Sequence, residues 1–439
     1  MKPTILIKNN LFKKNTLLKN ISLVIQGTAL GQGMVFLLSP IITRIYSPEH
    51  FGLYTVYVAL LGILASVAAL RFDVAIPVPK KKIEGLSLCI AALISLSIFT
   101  LIIVLGIHLV MGSALSAIIR HNLKNSLWLL PISVFAIGLY NIMTYFMVRH
   151  RLFSLIGRAK MTQAMCLIST QITFGLLKVK SLGLILGQIV GHFVVALIFI
   201  TKLFKLEKRI LKKMRHSWVV KSVRRYWRFP VFSTPASLMN ALGLYLPAIA
   251  ISALYGSQIA GWYGLAIQVM STPLGLIGQA VGQVYMGEGA ALKNSGNCNQ
   301  LLSLYIKTIC HGLIVGFPFI LIMILLGPSL FGFIFGSDWL QAGMSARILS
   351  IMLLLEFAII GPSQNFALFN RQDFALYWNV LFILLNFSAF LPACLFGADY
   401  FTTLIYLALA KSIGYITMAF LNLYVLRSAT EKFNQLCVE

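Results

Sequence analysis

Acidic residues are scarce in this sequence: 11 Asp and Glu among 439 residues, against 36 Lys and Arg. Charged residues of both signs amount to 11%, where a soluble domain carries about a quarter. Water therefore solvates only a small part of this chain. Disorder is excluded as well, because it needs low hydrophobicity and 59% of these residues are hydrophobic. The six cysteines, Cys89, Cys166, Cys298, Cys310, Cys394 and Cys437, form no CxxC pair and no Cys/His cluster. Most lie in apolar runs, where Cys packs as a small hydrophobe rather than a metal or redox group. No Walker A sequence is present, so any energy source is an ion gradient or substrate flux. Nothing marks an enzyme. A membrane-embedded glycosyltransferase or polymerase would need large outer loops with catalytic acids or Arg clusters, and the loops here are short.

What is present is a succession of uncharged apolar runs of about 20 residues, the length a helix needs to cross hydrocarbon. Lipid permits only helices or closed barrels, and the ten-residue alternation of barrel strands is missing. The expected fold is all-α integral membrane, with about 12 transmembrane helices. The spans run Ile21–Ile42, Phe51–Leu70, Leu86–Val110, Ser126–Val148, Met161–Leu177 and Ser181–Thr201. Residues 229–287 lack Asp, Glu, Lys and Arg, and Tyr255-Gly256-Ser257 divides them into spans seven and eight. Spans nine to twelve are Thr308–Gly327, Ile348–Asn370, Phe374–Gly397 and Tyr400–Leu426. The basic N-terminus precedes an apolar run too long for a cleavable signal, so the first helix is read as retained. With the N-terminus placed inside, loop Lys and Arg favour the inner side roughly five to one. Both termini are then cytoplasmic. The net charge of +25 is spread between apolar runs and does not indicate nucleic acid.

The halves echo each other. Phe51-Gly52-Leu53-Tyr54 opens span two, and Ala260-Gly261-Trp262-Tyr263 opens span eight. Gly112-Ser113-Ala114-Leu115 pairs with Gly327-Pro328-Ser329-Leu330, and Arg151-Leu152-Phe153-Ser154-Leu155 with Gln372-Asp373-Phe374-Ala375-Leu376. Six spans return the chain to one side, so the predicted lobes are parallel repeats related by a pseudo-twofold along the membrane normal. The predicted domains are an N-terminal six-helix lobe (1–202), a basic cytoplasmic linker helix (203–228) and a C-terminal six-helix lobe (229–439). The linker reads either as a topology anchor or as a helix that lies on the anionic leaflet and meets phosphate-bearing headgroups. Two such lobes suit alternating access.

Three segments carry a family resemblance. Arg44-Ile45-Tyr46-Ser47-Pro48-Glu49-His50-Phe51-Gly52-Leu53-Tyr54, Arg71-Phe72-Asp73-Val74-Ala75-Ile76 and Phe335-Gly336-Ser337-Asp338-Trp339-Leu340-Gln341-Ala342-Gly343 resemble signatures of the bacterial polysaccharide-unit flippases. These are the Wzx-type O-antigen translocases of the multidrug/oligosaccharidyl-lipid/polysaccharide exporter superfamily. The resemblance implies a multi-pass protein of the bacterial inner membrane, acting as a monomer. It would carry undecaprenyl-diphosphate-linked oligosaccharide, an O-antigen or capsule repeat unit, from the inner to the outer leaflet. Membrane lipids and a polymerase are its implied partners. A drug/cation antiporter of the same superfamily and a lipid II or teichoic-type exporter are the alternatives.

Such a substrate needs cations and hydroxyls in a wet interior, because unpaired charge in hydrocarbon is very costly. The planar fork of Arg suits phosphate. The substrate-binding candidates are Arg44, Arg71, Asp73, Arg149, Arg151 and Glu288. Arg71 would meet the diphosphate at the inner end of span two with Asp73 positioning it, or the two would be an interfacial ion pair. Arg44 would release the headgroup outside, or snorkel. Glu288, at the inner end of span eight, mirrors Asp73. Arg158 and Lys160 read as positive-inside anchors. Lys411, near the middle of span twelve, and Glu356, towards the outer end of span ten, are intramembrane ionisable groups and hence functional candidates. They form an internal pair, or Glu356 couples H⁺ or Na⁺ with Lys411 as a competing cation. No other cofactor is expected.

Overall fold

The computed structural model describes residues 26–112, 126–211, 214–369 and 371–436. The segment before residue 26, the stretch Ser113–Asn125 with Arg120 and Lys124, most of one repeat match (Ser113-Ala114-Leu115) and Cys437 lie outside these residues. Every regular element among them is helical. The long helices are α1 (Gln26–Ile45), α2 (Pro48–Val67), α4 (Lys82–Gly112), α5 (Leu130–Arg149), α6 (Phe153–Leu176), α7 (Ser181–Leu211), α9 (Thr234–Tyr255), α10 (Ser257–Asn294), α11 (Cys298–Phe335), α12 (Leu340–Ile360), α14 (Gln372–Ser388) and α16 (Tyr400–Leu436). Shorter pieces join them: α3 (Phe72–Ala75), α8 (His216–Arg225), α13 (Asn365–Leu368) and α15 (Leu391–Phe396).

Eleven helices among the described residues are long and apolar enough to cross a membrane. The protein is a polytopic, all-α membrane protein built as two helical lobes. The twelfth long helix, α6, has the length (24 residues) but carries Lys160, Gln163 and Gln171, which lower its apolarity. Large side chains such as Leu37, Leu109 and Phe333 are more than 70% exposed. Water would penalise that surface by roughly 25 cal/mol per Å², whereas lipid does not.

Several helices run past the ends that apolar runs predict. Span nine continues as one helix over Cys298–Phe335, and span eight reaches Asn294, beyond Glu288. Span ten starts at Leu340 and stops at Ile360, so the predicted Ile348–Asn370 is displaced toward the C-terminus. The predicted boundary came from Arg347, but that exposed residue lies within the helix rather than in an outer loop. A charge bounds an apolar run; it does not end hydrogen bonding along a helix. The predicted linker helix is likewise divided. Its first part is the end of α7, kinked at Glu207 (φ −120°, ψ 17°), and its second is the amphipathic α8.

Contacts divide the chain into two compact units. The first holds the described residues up to Tyr46 together with Leu60–Leu238; the second holds Ser47–Ala59 together with the described residues from Met239 onward. In the first unit α1 crosses α6 through Gly27 and Gly31, one helical turn apart. A Cβ on Gly27 would lie 2.3 Å from the Gly157 Cα, and one on Gly31 would lie 3.0 Å from the Lys160 carbonyl oxygen. Small residues let membrane helices touch backbone to backbone in this way. The Tyr46 hydroxyl donates to the Gln171 carbonyl (2.7 Å) and the Gln171 amide donates to the Leu184 carbonyl (3.1 Å), which joins α1, α6 and α7.

In the second unit the start of α2 packs on the start of α10. A Cβ on Gly52 would fall 1.6 Å from the Ser257 carbonyl oxygen, and one on Gly261 would fall 2.0 Å from that of Pro48. The two copies of the Gly-x-Tyr repeat thus meet reciprocally at their glycines. Phe51 abuts the Trp339 ring edge-on (centroids 5.4 Å), and the Trp262 indole donates to the Asp338 carbonyl (3.1 Å). Two of the three recognised segments, those around Gly52 and Trp339, contribute to this one junction. Further out, the Tyr285 hydroxyl donates to Asn365 (2.8 Å) and the Trp378 indole to the Gly414 carbonyl (2.8 Å).

Candidate functional site

Two places gather the sequence-predicted charges, one in each unit. In the first unit, the chain leaves α2 through Leu70 (φ 48°) and Arg71 (φ 57°). Both are in the left-handed region, which costs a non-glycine residue about 1–3 kcal/mol. That reversal turns α3 inward and buries Phe72, Asp73 and Ala75. Asp73 is only 6% exposed. Its Oδ1 and the Nε of Arg71 are buried without a hydrogen-bond partner among the described residues, although the two charges act on each other. Burial pushes the Asp73 carboxyl above the usual carboxylate range; Arg71 and the Val74 amide oppose the shift. Tyr145 of α5 lies within reach of both charges.

The remaining candidates separate. The Arg149 guanidinium donates to three carbonyls of the α3–α4 connection: Ile76 (2.8 Å), Pro79 (2.7 Å) and Lys81 (2.8 Å). Its fork is committed to backbone, and a Cβ on Gly85 would strike it at 2.4 Å. Arg151 (φ 57°) is exposed in the tight α5–α6 turn. Arg44 is exposed in the last turn of α1. Glu288 is exposed inside α10, six residues before its end, so it does not reproduce the buried, turn-borne Asp73. Two acids hold the base of this unit. Glu84 pairs with Arg225 of α8 (3.1 Å). Glu207 lies 3.3 Å from His150 Nε2; burial lowers the His150 pKa and Glu207 opposes that.

In the second unit, a cavity of about 490 Å³ opens between α10 and α12. Glu356 is the charged group on its wall, beside Gln279, Gln283, Gln364 and Ser271. Glu356 is four residues from the C-terminal end of α12. The displaced span boundary moves it away from the end that the sequence predicted. Lys411, in the fourth turn of α16, is 5% exposed and its ammonium sits 6.0 Å from the Phe382 ring centroid. Glu356 acts electrostatically on Lys411 and on Tyr263, and the Tyr415 hydroxyl interacts with it directly. Glu356 and Lys411 do not close an ion pair within 4.0 Å among the described residues. One carboxylate among amide and hydroxyl oxygens is a donor set for a proton or a small hard cation; the Met286 thioether is a soft donor on the same wall.

Sequence reasoning missed two features. Lys160 lies in a polar pocket of the first unit instead of at an interface. The signal for it was the Gly27/Gly31 spacing, which brings α1 against α6. The convergence of the amides Gln279, Gln283 and Gln364 on Glu356 is the second.

Comparison with known proteins places these sites in context. Residues 41–343 match the model of a family described as polysaccharide biosynthesis protein. The teichuronic acid biosynthesis protein TuaB of Bacillus subtilis is 23% identical over 209 residues, 47% of this chain; the match spans 42% of that protein's length. An inward-facing multidrug-resistance MATE transporter of the MOP superfamily superposes with a TM-score of 0.68 at 15% identity, over 94% of this chain and 99% of its own. The lipid II flippase MurJ, in an inward closed conformation, superposes with a TM-score of 0.66 at 13% identity, over 95% of this chain and 90% of its own. Identities this low establish the shared fold.

Proposed function

The chain belongs to the polysaccharide biosynthesis protein family and has the MOP-superfamily fold, and from that premise we propose that it is a flippase for undecaprenyl-diphosphate-linked oligosaccharide. It would move an O-antigen or capsule repeat unit from the inner to the outer leaflet by alternating access, with both termini cytoplasmic. The reading is supported above all by the charge of the first unit. Its described acids, Asp73, Glu84 and Glu207, are buried or paired at its base, which leaves cations to face a ligand. A drug/cation antiporter would need the reverse. TuaB, named for teichuronic acid biosynthesis, supports a role in making a cell-surface polysaccharide.

Arg71 and Asp73 are the proposed entry site for the diphosphate. Both carry buried polar atoms without hydrogen-bond partners among the described residues, on a turn with left-handed backbone at Leu70 and Arg71. Glu356 is the proposed site of a coupling H⁺ or Na⁺, with Lys411 as an internal counter-charge. The membrane potential adds to the drive: moving one charge through 100 mV is worth about 2.3 kcal/mol, and outward transfer of an anion from a negative interior is favourable. In this reading Arg149 maintains the fold at the inner end, and Arg44 and Arg151 are surface cations.

Deleting the gene is expected to abolish one surface polysaccharide and to leave lipid-linked repeat units on the cytoplasmic leaflet. Leaflet-specific labelling of the lipid-linked glycan checks this. Units that reach the outer face at the normal rate in a strain with no second flippase would overturn the proposal.

A further inference from the structure

A pocket of about 250 Å³ lies in the first unit between α1, α5 and α6. Its polar wall is Thr28 and Gln32 of α1, Tyr140 of α5, and Lys160 and Gln163 of α6. Lys160 is half-buried. Among the described residues it makes neither an ion pair nor a side-chain hydrogen bond, and no acid acts on it electrostatically. The acids of this unit are engaged elsewhere: Glu84 with Arg225, Glu207 beside His150, and Asp73 within the α3 turn.

An enclosed cation without a counter-charge lowers stability. The surrounding fold nevertheless fixes it in place. Gly27 and Gly31 bring α1 into backbone contact with α6, and Gly31 lies over the Lys160 carbonyl itself. Tyr140 is buttressed from behind by His192, whose ring meets it edge-on at 5.2 Å and whose Nδ1 is 2.7 Å from the Gln188 carbonyl oxygen. The pocket is smaller than those that enclose drug-sized ligands, about 300–1,000 Å³. It has room for a small anionic group. Lys supplies a point charge and three rotatable donors, and the Tyr hydroxyl and two amides can donate to the remaining oxygens.

We infer that Lys160 and this pocket form an anion site that receives the diphosphate of a lipid-linked glycan, with Gln32, Tyr140 and Gln163 donating to its oxygens. The inference rests on the flippase reading and names a binding residue within it. Lys160 would hold the headgroup after Arg71 and Asp73 admit it.

Full-length protein in nanodiscs of zwitterionic lipid is titrated with undecaprenyl diphosphate, with undecaprenol and with inorganic pyrophosphate. The wild type is expected to bind the diphosphate lipid at least about tenfold more tightly than undecaprenol, as a charge-assisted contact implies. Lys160→Gln should lose that preference and pyrophosphate binding together. Lys160→Arg should restore both, and Arg158→Gln, an exposed cation on the same helix, should leave both intact. Gln32→Glu, which places an acid beside Lys160, should reproduce the loss and serves as the second variant if Lys160→Gln does not fold. A folded Lys160→Gln protein that retains the wild-type preference would overturn the site and leave the flippase reading standing. A wild type with no preference for diphosphate over undecaprenol would sink the flippase reading itself.

Discussion

The pocket around Lys160 in the first unit and the cavity around Glu356 in the second follow one plan with opposite sign. Among the described residues each has a single charged side chain on its wall, beside amides and hydroxyls. Lys160 stands alone among apolar and neutral groups, whereas Glu356 feels Lys411 and contacts Tyr415. The repeat that relates the halves at Gly52 and Gly261 is therefore not a repeat of chemistry. Packing positions are shared because close helix crossing admits only small residues. Charges at the pocket walls have diverged, as two different ligands would require. The proposal assigns the anionic headgroup to one unit and a coupling cation to the other.

Three substitutions would break or sharpen that contrast. The largest effect is expected from Gly27→Leu. Its side chain would enter space held by the Gly157 backbone, separate α1 from α6 and open the Lys160 pocket. Overpacking of this kind costs about 1–3 kcal/mol, occasionally more, and thermal melting of the purified full-length chain should show it together with lost diphosphate binding. An unchanged melting temperature would mean that the crossing does not hold the pocket.

Glu356→Gln should act on the other half of the contrast. Transport is expected to lose its response to an imposed H⁺ or Na⁺ gradient, while the affinity for undecaprenyl diphosphate stays within about threefold, or about 0.7 kcal/mol. If the same substitution abolished headgroup binding, the division of labour between the units would fall.

The smallest effect concerns Asp73. Burial raises its folded-state pKa above the ordinary 3.8, so in the window just above that value the unfolded chain binds fewer protons than the native one. Stability contributed by the neutral acid is then lost as pH rises through the window toward the folded pKa. Asp73→Asn should flatten this slope and, near neutral pH, melt at or above the wild-type temperature. Chemical denaturation between pH 4 and 8, about the range where a raised carboxyl titrates, provides the measurement. An identical slope in the variant would exclude Asp73 as its source.

Much of this protein is legible without coordinates. The scarcity of acids, the apolar runs and the positive loops identify a two-lobed helical membrane protein. The Arg71–Asp73 segment was singled out by residue type, and its buried, strained turn is what the structure adds. Glu356 was noticed because a lone acid in an apolar run stands out, but its depth was misplaced because Arg347 seemed to close the preceding loop. Lys160 reads as an anchor for the converse reason. It follows His150, Arg151 and Arg158, and a cation in basic company reads as a topology anchor. Nothing in the sequence around Arg149 announces that three carbonyls will occupy its guanidinium.

The sequence by itself determined the solvent of this chain, the number and rough limits of its helices, and the bias of its loops, because transfer into lipid depends on composition summed over about 20 residues. Only the tertiary structure decided which charges are spent on backbone, which are paired and which face a cavity. In a soluble helix, an apolar stripe would reveal the inward face. Here lipid and protein interior are both apolar, so helix rotation leaves little trace in periodicity. It is set instead by a few glycine crossings between residues far apart in the chain.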